Sequence, residues 1–173
     1  GFRPDHILTA QVTLPSALYR DDKAIVAFWD EFLRRTNGLP GVQSVSLTLS
    51  TPPDQLALTN PFTAEGQTYD KSRPLQLAEE MTIGPAYFTT LGVPVLAGRD
   101  FTDADRTSAQ DPIIINRTLA EKYFPGQDPL GRRLQTGDPR PEPPSETIIG
   151  VVGDVKYSGL DAPAAPQAYK LYS

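Results

Sequence analysis

Residues 7–14, Ile-Leu-Thr-Ala-Gln-Val-Thr-Leu, alternate: Leu8, Ala10, Val12 and Leu14 fall on one side, and Ile7, Thr9, Gln11 and Thr13 on the other. A period of two is that of a half-buried strand. Pro15 ends the run. Beyond Asp21 and Asp22 the period lengthens, with Ile25, Phe28, Trp29, Phe32 and Leu33 at the i, i+3, i+4, i+7 and i+8 positions of an amphipathic helix. Asp21 and Asp22 lie where the helix dipole is positive, Arg34 and Arg35 where it is negative, and Asn37-Gly38 offers a left-handed stop before Pro40. Val45, Leu47 and Leu49 then alternate with Ser44, Ser46, Thr48 and Ser50 as a second half-buried strand. This unit predicts two parallel strands joined by a right-handed crossover.

Outward from this unit, residues 51–74 open with Thr-Pro-Pro-Asp and close on Pro74 without a period, which predicts a long loop holding at most a short strand. Leu75–Ile83 reads as a strand, Pro85–Leu91 as a short helix with Tyr87, Phe88 and Leu91 on one side, and Val93–Leu96 as another strand. The strand-helix-strand pattern therefore occurs twice, without residue-level identity between the copies. Two such units with their helices over one face of a sheet make an α+β protein of the split, ferredoxin-like kind.

The texture changes at Phe101. Thr102-Asp-Ala-Asp105 has the spacing of a helix start, Pro112–Ile115 that of a short buried strand, and Thr118–Phe124 that of a helix with Leu119, Tyr123 and Phe124 inward. Gly131–Gln135 and Thr147–Val155 read as a hairpin. The loop between them carries Asp138-Pro-Arg-Pro-Glu-Pro-Pro144, which favours polyproline II geometry and stays out of a sheet. Ala168–Ser173 reads as a final strand cut short. With Gly1 in place of Met, the chain is expected to be a piece excised from a longer protein.

Composition narrows the function classes. The 173 residues carry 16 Lys and Arg against 21 Asp and Glu, a net charge of -5, which argues against a protein that neutralises nucleic-acid phosphates. No Cys and a single His leave no thiol nucleophile, no disulfide and no two-histidine or thiolate zinc site. At 39% hydrophobic and 21% charged residues the chain is of ordinary globular type, and 18 prolines predict many irregular connections. No run approaches the roughly 20 apolar residues of a membrane span, and no leader opens the chain.

Each motif with catalytic or binding potential has a plainer reading. Asp103, Asp105, Thr107 and Asp111 match positions 1, 3, 5 and 9 of a calcium loop, but Ser108 stands where Gly is needed and Ile114 where a bidentate Glu is needed. A capping box of Thr102 with Asp105 accounts for them better. Glu79, Glu80 and Asp154 offer carboxylates for acid-base work. Neighbours on a strand point to opposite faces, so Glu79 and Glu80 read as solvated edge residues. Gly150-Val-Val-Gly153 lacks the third glycine and the helix of a phosphate loop, and reads as a bulge or a close backbone approach. Asn116-Arg-Thr118 fits the glycosylation pattern, but Asn116 is read as the cap of the helix that follows. His6 has no nucleophile or orienting partner nearby in sequence, and no Gly-x-Ser-x-Gly or Ser-x-x-Lys arrangement supports a hydrolase. No catalytic, cofactor-binding or metal site is assigned.

Three longer segments are more specific together: IGPAYFTTLGVPVLAGRDFT at 83–102, INRTLAEKYFPGQDPLGRRL at 115–134 and IIGVVGDVKYSGL at 148–160. In this order they resemble the periplasmic core domain of MacB-like and FtsX-like ABC transporter permeases, of the duplicated orphan permease type. The likeness extends to Pro166-Gln-Ala-Tyr169 and leaves only residues 51–74 and 136–146 without a counterpart.

The resemblance implies a porter-like subdomain over residues 1–100, with a return strand at 161–173, and a smaller Sabre-like α+β subdomain over 101–160. It implies a non-catalytic extracytoplasmic domain at the periplasmic face of the bacterial inner membrane, without a cofactor, coupling ATP-driven movement of membrane helices to export or mechanotransmission. The implied partners are membrane helices of the same parent chain, a separate ABC ATPase subunit in the cytoplasm, a second copy in a homodimer of the full-length protein, and a periplasmic adaptor or substrate; nucleic acid is not among them. An alternative is a periplasmic module that binds a ligand or lipoprotein, which predicts a concave apolar pocket or an exposed apolar patch. A carboxylate hydrolase ranks last and requires two acidic groups converging in a cleft. The loop around Pro139–Pro144 is expected as an ordinary hairpin tip, with partner contact as its other reading.

Overall fold

The computed structural model describes residues 1–52, 58–67, 72, 74–139, 145–157, 159 and 161–173. Along the chain run α1 (Asp22–Asn37), β1 (Leu58–Ala64), β2 (Gln76–Ile83), α2 (Tyr87–Leu91), β3 (Val95–Gly98), a 3-10 turn (Asp103–Thr107), β4 (Pro112–Asn116), α3 (Arg117–Tyr123), β5 (Arg133–Thr136), β6 (Glu146–Val152) and β7 (Gln167–Leu171). The strands make one sheet in the order β3-β6-β4-β7-β2-β1-β5, and β5 pairs again with the start of β6. All strands except β3 therefore close into a ring. β3 hangs on the second half of β6 through Val95↔Val152 and Gly98↔Gly150.

Closure gives the sheet an inside and an outside, filled by alternate side chains. Ile113 and Ile115 of β4 point inward with Phe62, Ala78, Leu134 and Ala168, and Leu119 of α3 and its C-cap residue Phe124 join the same cluster. Ile114 and Tyr169 point outward and pack with Met81, Ile83 and the α2 residues Tyr87 and Phe88. Each fully buried large apolar side chain of this kind contributes about 1.5–3 kcal/mol relative to exposure. Ile113 faces Ile148 but Ile114 faces Gly150, so Ile149 bulges. The bulge turns both Ile148 and Val151 into the inner cluster, although they are three residues apart. At one end of the ring Lys170 lies 2.7 Å from Glu146 and 3.6 Å from Glu80. Burial opposes the ammonium charge there, but the two carboxylates outweigh it and raise the Lys170 pKa.

Most expected elements form within a residue or two: the helix capped by Asp21, the strand ending at Ile83, the helix after Pro85, the buried strand at Pro112, the helix capped by Asn116 and the β5–β6 hairpin. The short strand within residues 51–74 is β1. Two strands are corrected. Residues 7–14 form none, because no partner lies alongside to accept a ladder; Leu8 is 93% exposed. Residues 45–49 make a single antiparallel bridge, Thr48↔Ile83, beside the bond from the Gly84 N–H to the Leu47 carbonyl. No parallel pair with a crossover is present there.

Of the two expected strand-helix-strand units, the first is thus present as its helix. In the second, β2 and β3 are separated in the sheet by β7, β4 and β6. The class is α+β, with the strands in one partly closed sheet. Gly38 does not stop α1 in the left-handed region: its φ is -84°, and its N–H caps the Arg35 carbonyl from a right-handed conformation. The strand expected at Val93 begins at Val95, because the Val93 N–H caps Phe88 and Pro94 has no N–H to give. Of the proline-rich loop, residues 140–144 lie outside the described residues.

Candidate functional site

The sequence of α1 is that of an amphipathic helix, and its ends are secured locally. Asp21 Oδ1 accepts the Ala24 N–H at 2.8 Å, and Glu31 takes hydrogen bonds from Arg34 and Arg35, each at 2.6 Å. Those two guanidinium groups hold the Glu31 carboxyl down at about 2. An apolar stripe of this length is expected to bury itself against a core, yet no residue of α1 is fully buried. Its aromatic residues pack mainly on one another. Phe28 stands edge-on to Tyr19 at 5.3 Å and to Trp29 at 5.1 Å, and lies stacked with Phe32 at 6.3 Å. An open groove of about 520 Å³ is lined by Ala24, Ala27, Phe28, Glu31, Phe32 and Arg35 of α1 together with Tyr19.

A polar joint ties α1 to the body. Arg106, only 15% exposed, places Nη1 2.6 Å from Asp30 Oδ1 and donates from Nη2 to the Tyr172 hydroxyl at 2.7 Å. The same guanidinium lies 4.3 Å from the centre of the Tyr172 ring, and the Tyr172 hydroxyl donates to Asp30. Burial pushes the Asp30 carboxyl up, but the bonds from Tyr172 and Arg106 prevail and lower it. Burial, then the Asp30 carboxylate, pushes the Tyr172 phenol up to about 12. Helix, turn and the end of β7 thus meet on three side chains. None of the three is marked in the sequence, because Arg106 is 76 residues from Asp30 and 66 from Tyr172. The one local hint is a carboxylate at position 30 within an aromatic run.

Inside the body a second polar group clamps β7. Asn116 Oδ1 accepts the N–H groups of Leu119 and Gln167, both at 2.9 Å, and Asn116 Nδ2 donates to Asp154 and to the Ala165 carbonyl, both at 2.8 Å. Gln167 Nε2 donates to Glu79 at 2.8 Å, and Gln167 Oε1 receives the Tyr169 hydroxyl at 2.9 Å. Asp154 also accepts the Thr118 N–H at 2.9 Å and Arg117 at 3.1 Å. Asn116 and Gln167 have no exposed surface, and Glu79 is 6% exposed. β7 is thereby fixed between β2 and β4 by side chains as well as by its ladders.

The structure redistributes the sequence-marked residues. Glu79 and Glu80 do face opposite sides of the sheet, but neither is a solvated edge residue: Glu79 joins the β7 clamp and Glu80 faces Lys170 inside the ring. Through Gln167 and Asn116, Glu79 shares a hydrogen-bonded chain with Asp154. Asp105 closes the capping box with Thr102 and pairs with Arg99 at 2.7 Å; that guanidinium brings the Asp105 carboxyl down to about 2. Asp103 is mostly exposed and Asp111 lies toward Lys170, so the calcium template does not assemble. Among the described residues no group of three or more His, Asp or Glu side chains could hold a metal ion. Gly150 is the close backbone approach expected, since a Cβ there would meet the Arg99 carbonyl oxygen at 2.3 Å. Asn116 caps α3 and is buried, so the glycosylation pattern is not displayed. His6 is exposed, with φ 63°.

Set in this frame are the likenesses to known proteins. The family described as the MacB-like periplasmic core domain matches residues 7–169. The chain is similar to the periplasmic region of MacB from Actinobacillus actinomycetemcomitans, with a TM-score of 0.53 and 19% identity over 83% of this chain and 55% of that one. It is similar also to the extracellular domain of the noncanonic ABC-type transporter YknZ from Gram-positive bacteria, with a TM-score of 0.52 and 22% identity over 83% of this chain and 62% of that one. The chain therefore spans little more than half the length of these structures. Comparison with curated proteins gives no match. Among the described residues no helix is long and apolar enough to cross a membrane.

Proposed function

The chain belongs to the family of MacB-like periplasmic core domains, and from that premise we propose that it is a non-catalytic extracytoplasmic domain of an ABC transporter permease, coupling ATP-driven movement of membrane helices to export or mechanotransmission. The observation that carries this reading is the Asp30–Arg106–Tyr172 joint. It sets a helix with no buried residue against a closed sheet whose β7 is clamped on both sides. A packed, hydrogen-bonded ring passes a displacement on rather than absorbing it, and α1 is the element free enough to deliver it. The division into a porter-like part, residues 1–100 with 161–173, and a Sabre-like part, 101–160, belongs to the same proposal; the two parts share one sheet, in which β7 pairs with β2 of the first and β4 of the second.

The partners in this reading are membrane helices of the same parent chain, a separate cytoplasmic ABC ATPase subunit, and a periplasmic adaptor or substrate. The test is made in the full-length permease with its ATPase. Arg106→Ala is expected to leave ATP hydrolysis in place and to abolish export. Undiminished export by that variant, at equal protein level in the membrane, would end the reading of this joint as the coupling element.

A further inference from the structure

We infer that residues 1–7 are a strap closed over the end of α2, and that tension between the two ends of the chain opens it before the sheet yields. The inference concerns the chain alone and does not rest on the permease reading. Among the described residues, one backbone hydrogen bond joins residues 1–20 to the rest of the molecule: the Arg3 N–H donates to the Leu91 carbonyl at 2.8 Å. Phe2 and Ile7, both half-buried, pack against the outer cluster that holds Tyr87, Phe88, Leu91 and Val93.

The strap completes a helix that needs it. α2 has five residues, too few to persist by its own hydrogen bonds, and Ala86 enters it without a side-chain cap. At its exit the Gly92 and Val93 N–H groups return to the Thr89 and Phe88 carbonyls, and Arg3 takes the Leu91 carbonyl. Gly92 turns there with φ 64°, and the Arg3 stem lies across it: a Cβ on Gly92 would stand 3.1 Å from Arg3 Cδ and 3.2 Å from Arg3 Cγ. Closing the strap also bends its hinge. His6 has φ 63°, a left-handed conformation that is costly for an L-residue, and opening relieves it. The other end of the chain is built differently. β7 is paired on both sides, with β2 and β4, and the Gln167 N–H is bound by Asn116. A pull on residue 173 therefore loads two ladders and a buried clamp, whereas a pull on residue 1 loads one hydrogen bond and two apolar side chains. The weaker attachment opens first. It uncovers the end of α2, and the pull then passes to α1 and its joint at Asp30.

The chain has no cysteine, so Gly1→Cys with Ser173→Cys supplies two unique handles for optical tweezers. A reversible first step that frees at most about 20 residues, ~70 Å of extended chain, is expected below the force at which the sheet ruptures. Arg3→Pro removes the donor to Leu91, and Phe2→Ala removes packing on the outer cluster. Each is expected to lower or abolish the first step and to leave the rupture of the sheet where it was. Hydrogen exchange carries the same test without load: in Arg3→Pro the amides of α2 are expected to exchange about 10-fold faster, while those of β4 and β7 keep their rates. A single rupture that unfolds the whole chain, a first step unmoved by both variants, or unaltered exchange in α2 would each overturn the inference. So would loss of protection throughout the sheet in Arg3→Pro, which would make residues 1–7 part of the core and not a strap upon it.

Discussion

Asn116 and Gln167 hold each other twice: Asn116 Oδ1 accepts the Gln167 backbone N–H at 2.9 Å, and Asn116 Nδ2 donates to Gln167 Oε1 at 3.2 Å. Both residues are fully buried, so truncating either strands polar groups that water cannot reach. Asn116→Ala also removes the cap of α3, and is expected to destabilise the fold by about 2–4 kcal/mol. Asn116→Asp keeps the shape but turns a donor toward Asp154 into a second carboxylate, so its loss should be greater at neutral than at acid pH. Urea unfolding of both variants measures this. A change below about 0.5 kcal/mol would place Asn116 among ordinary surface positions and remove the clamp.

Half of that relationship is legible in the sequence. Asn116 reads as a cap because the helix it caps begins at the next residue. Its hold on Gln167, 51 residues away, has no local signature. The same distinction explains the rest. α1 is legible because a period of 3.6 and its caps are properties of one segment. Residues 7–14 have the alternation of a strand, but a strand also needs a partner edge, which alternation does not supply. Ring closure depends on β5 offering one edge to β1 and the other to β6, a long-range fact, and Arg106 joins residues from both ends of the chain.

Two backbone positions should respond in opposite directions. At Gly98↔Gly150, β3 and β6 approach so closely that a Cβ on Gly150 would stand 2.3 Å from the Arg99 carbonyl oxygen. Gly150→Ala is therefore expected to cost about 2–4 kcal/mol through the forced shift of β3. Ala86 enters α2 with φ 58°, a left-handed conformation that costs an L-residue about 1–2 kcal/mol. Ala86→Gly relieves it and adds freedom to the unfolded chain, for a net gain of up to about 1 kcal/mol. Thermal melting of the two variants checks both signs at once.

The tyrosines predict the alkaline limit of the fold. Burial pushes the Tyr87 and Tyr172 phenols up to about 12, and raises Tyr157 and Tyr169 as well. A phenol whose pKa is higher folded than unfolded stabilises the fold fully below about pH 10, the unfolded value, and loses that contribution as pH rises through the folded value. Stability should therefore hold to about pH 10 and fall toward pH 12. Phenolate absorbance followed beside circular dichroism is the measurement. These four phenols, of seven tyrosines in the chain, should ionise together with the loss of structure. Titration of all seven near pH 10 with the fold intact would contradict their burial.

Trp29 is the only tryptophan, and it lies on α1, so its fluorescence reports the helix while the tyrosine-rich outer cluster reports the body. Arg106→Ala removes the cation that Asp30 and Tyr172 share. Exposed ion pairs alone contribute little, but Arg106 is mostly buried and serves a carboxylate, a hydroxyl and a ring together. Its removal is expected to weaken the attachment of α1 by about 1–2 kcal/mol. The body, whose clamp at Asn116 and Gln167 does not involve Arg106, should keep its own midpoint. Denaturation of the variant should then separate into two transitions, Trp29 first, and amides of residues 22–37 should exchange faster than those of β4 and β7. If Trp29 and the body still unfold in one step at the unaltered midpoint, apolar contacts and not this joint hold the helix, and the coupling role proposed for Asp30, Arg106 and Tyr172 falls with it.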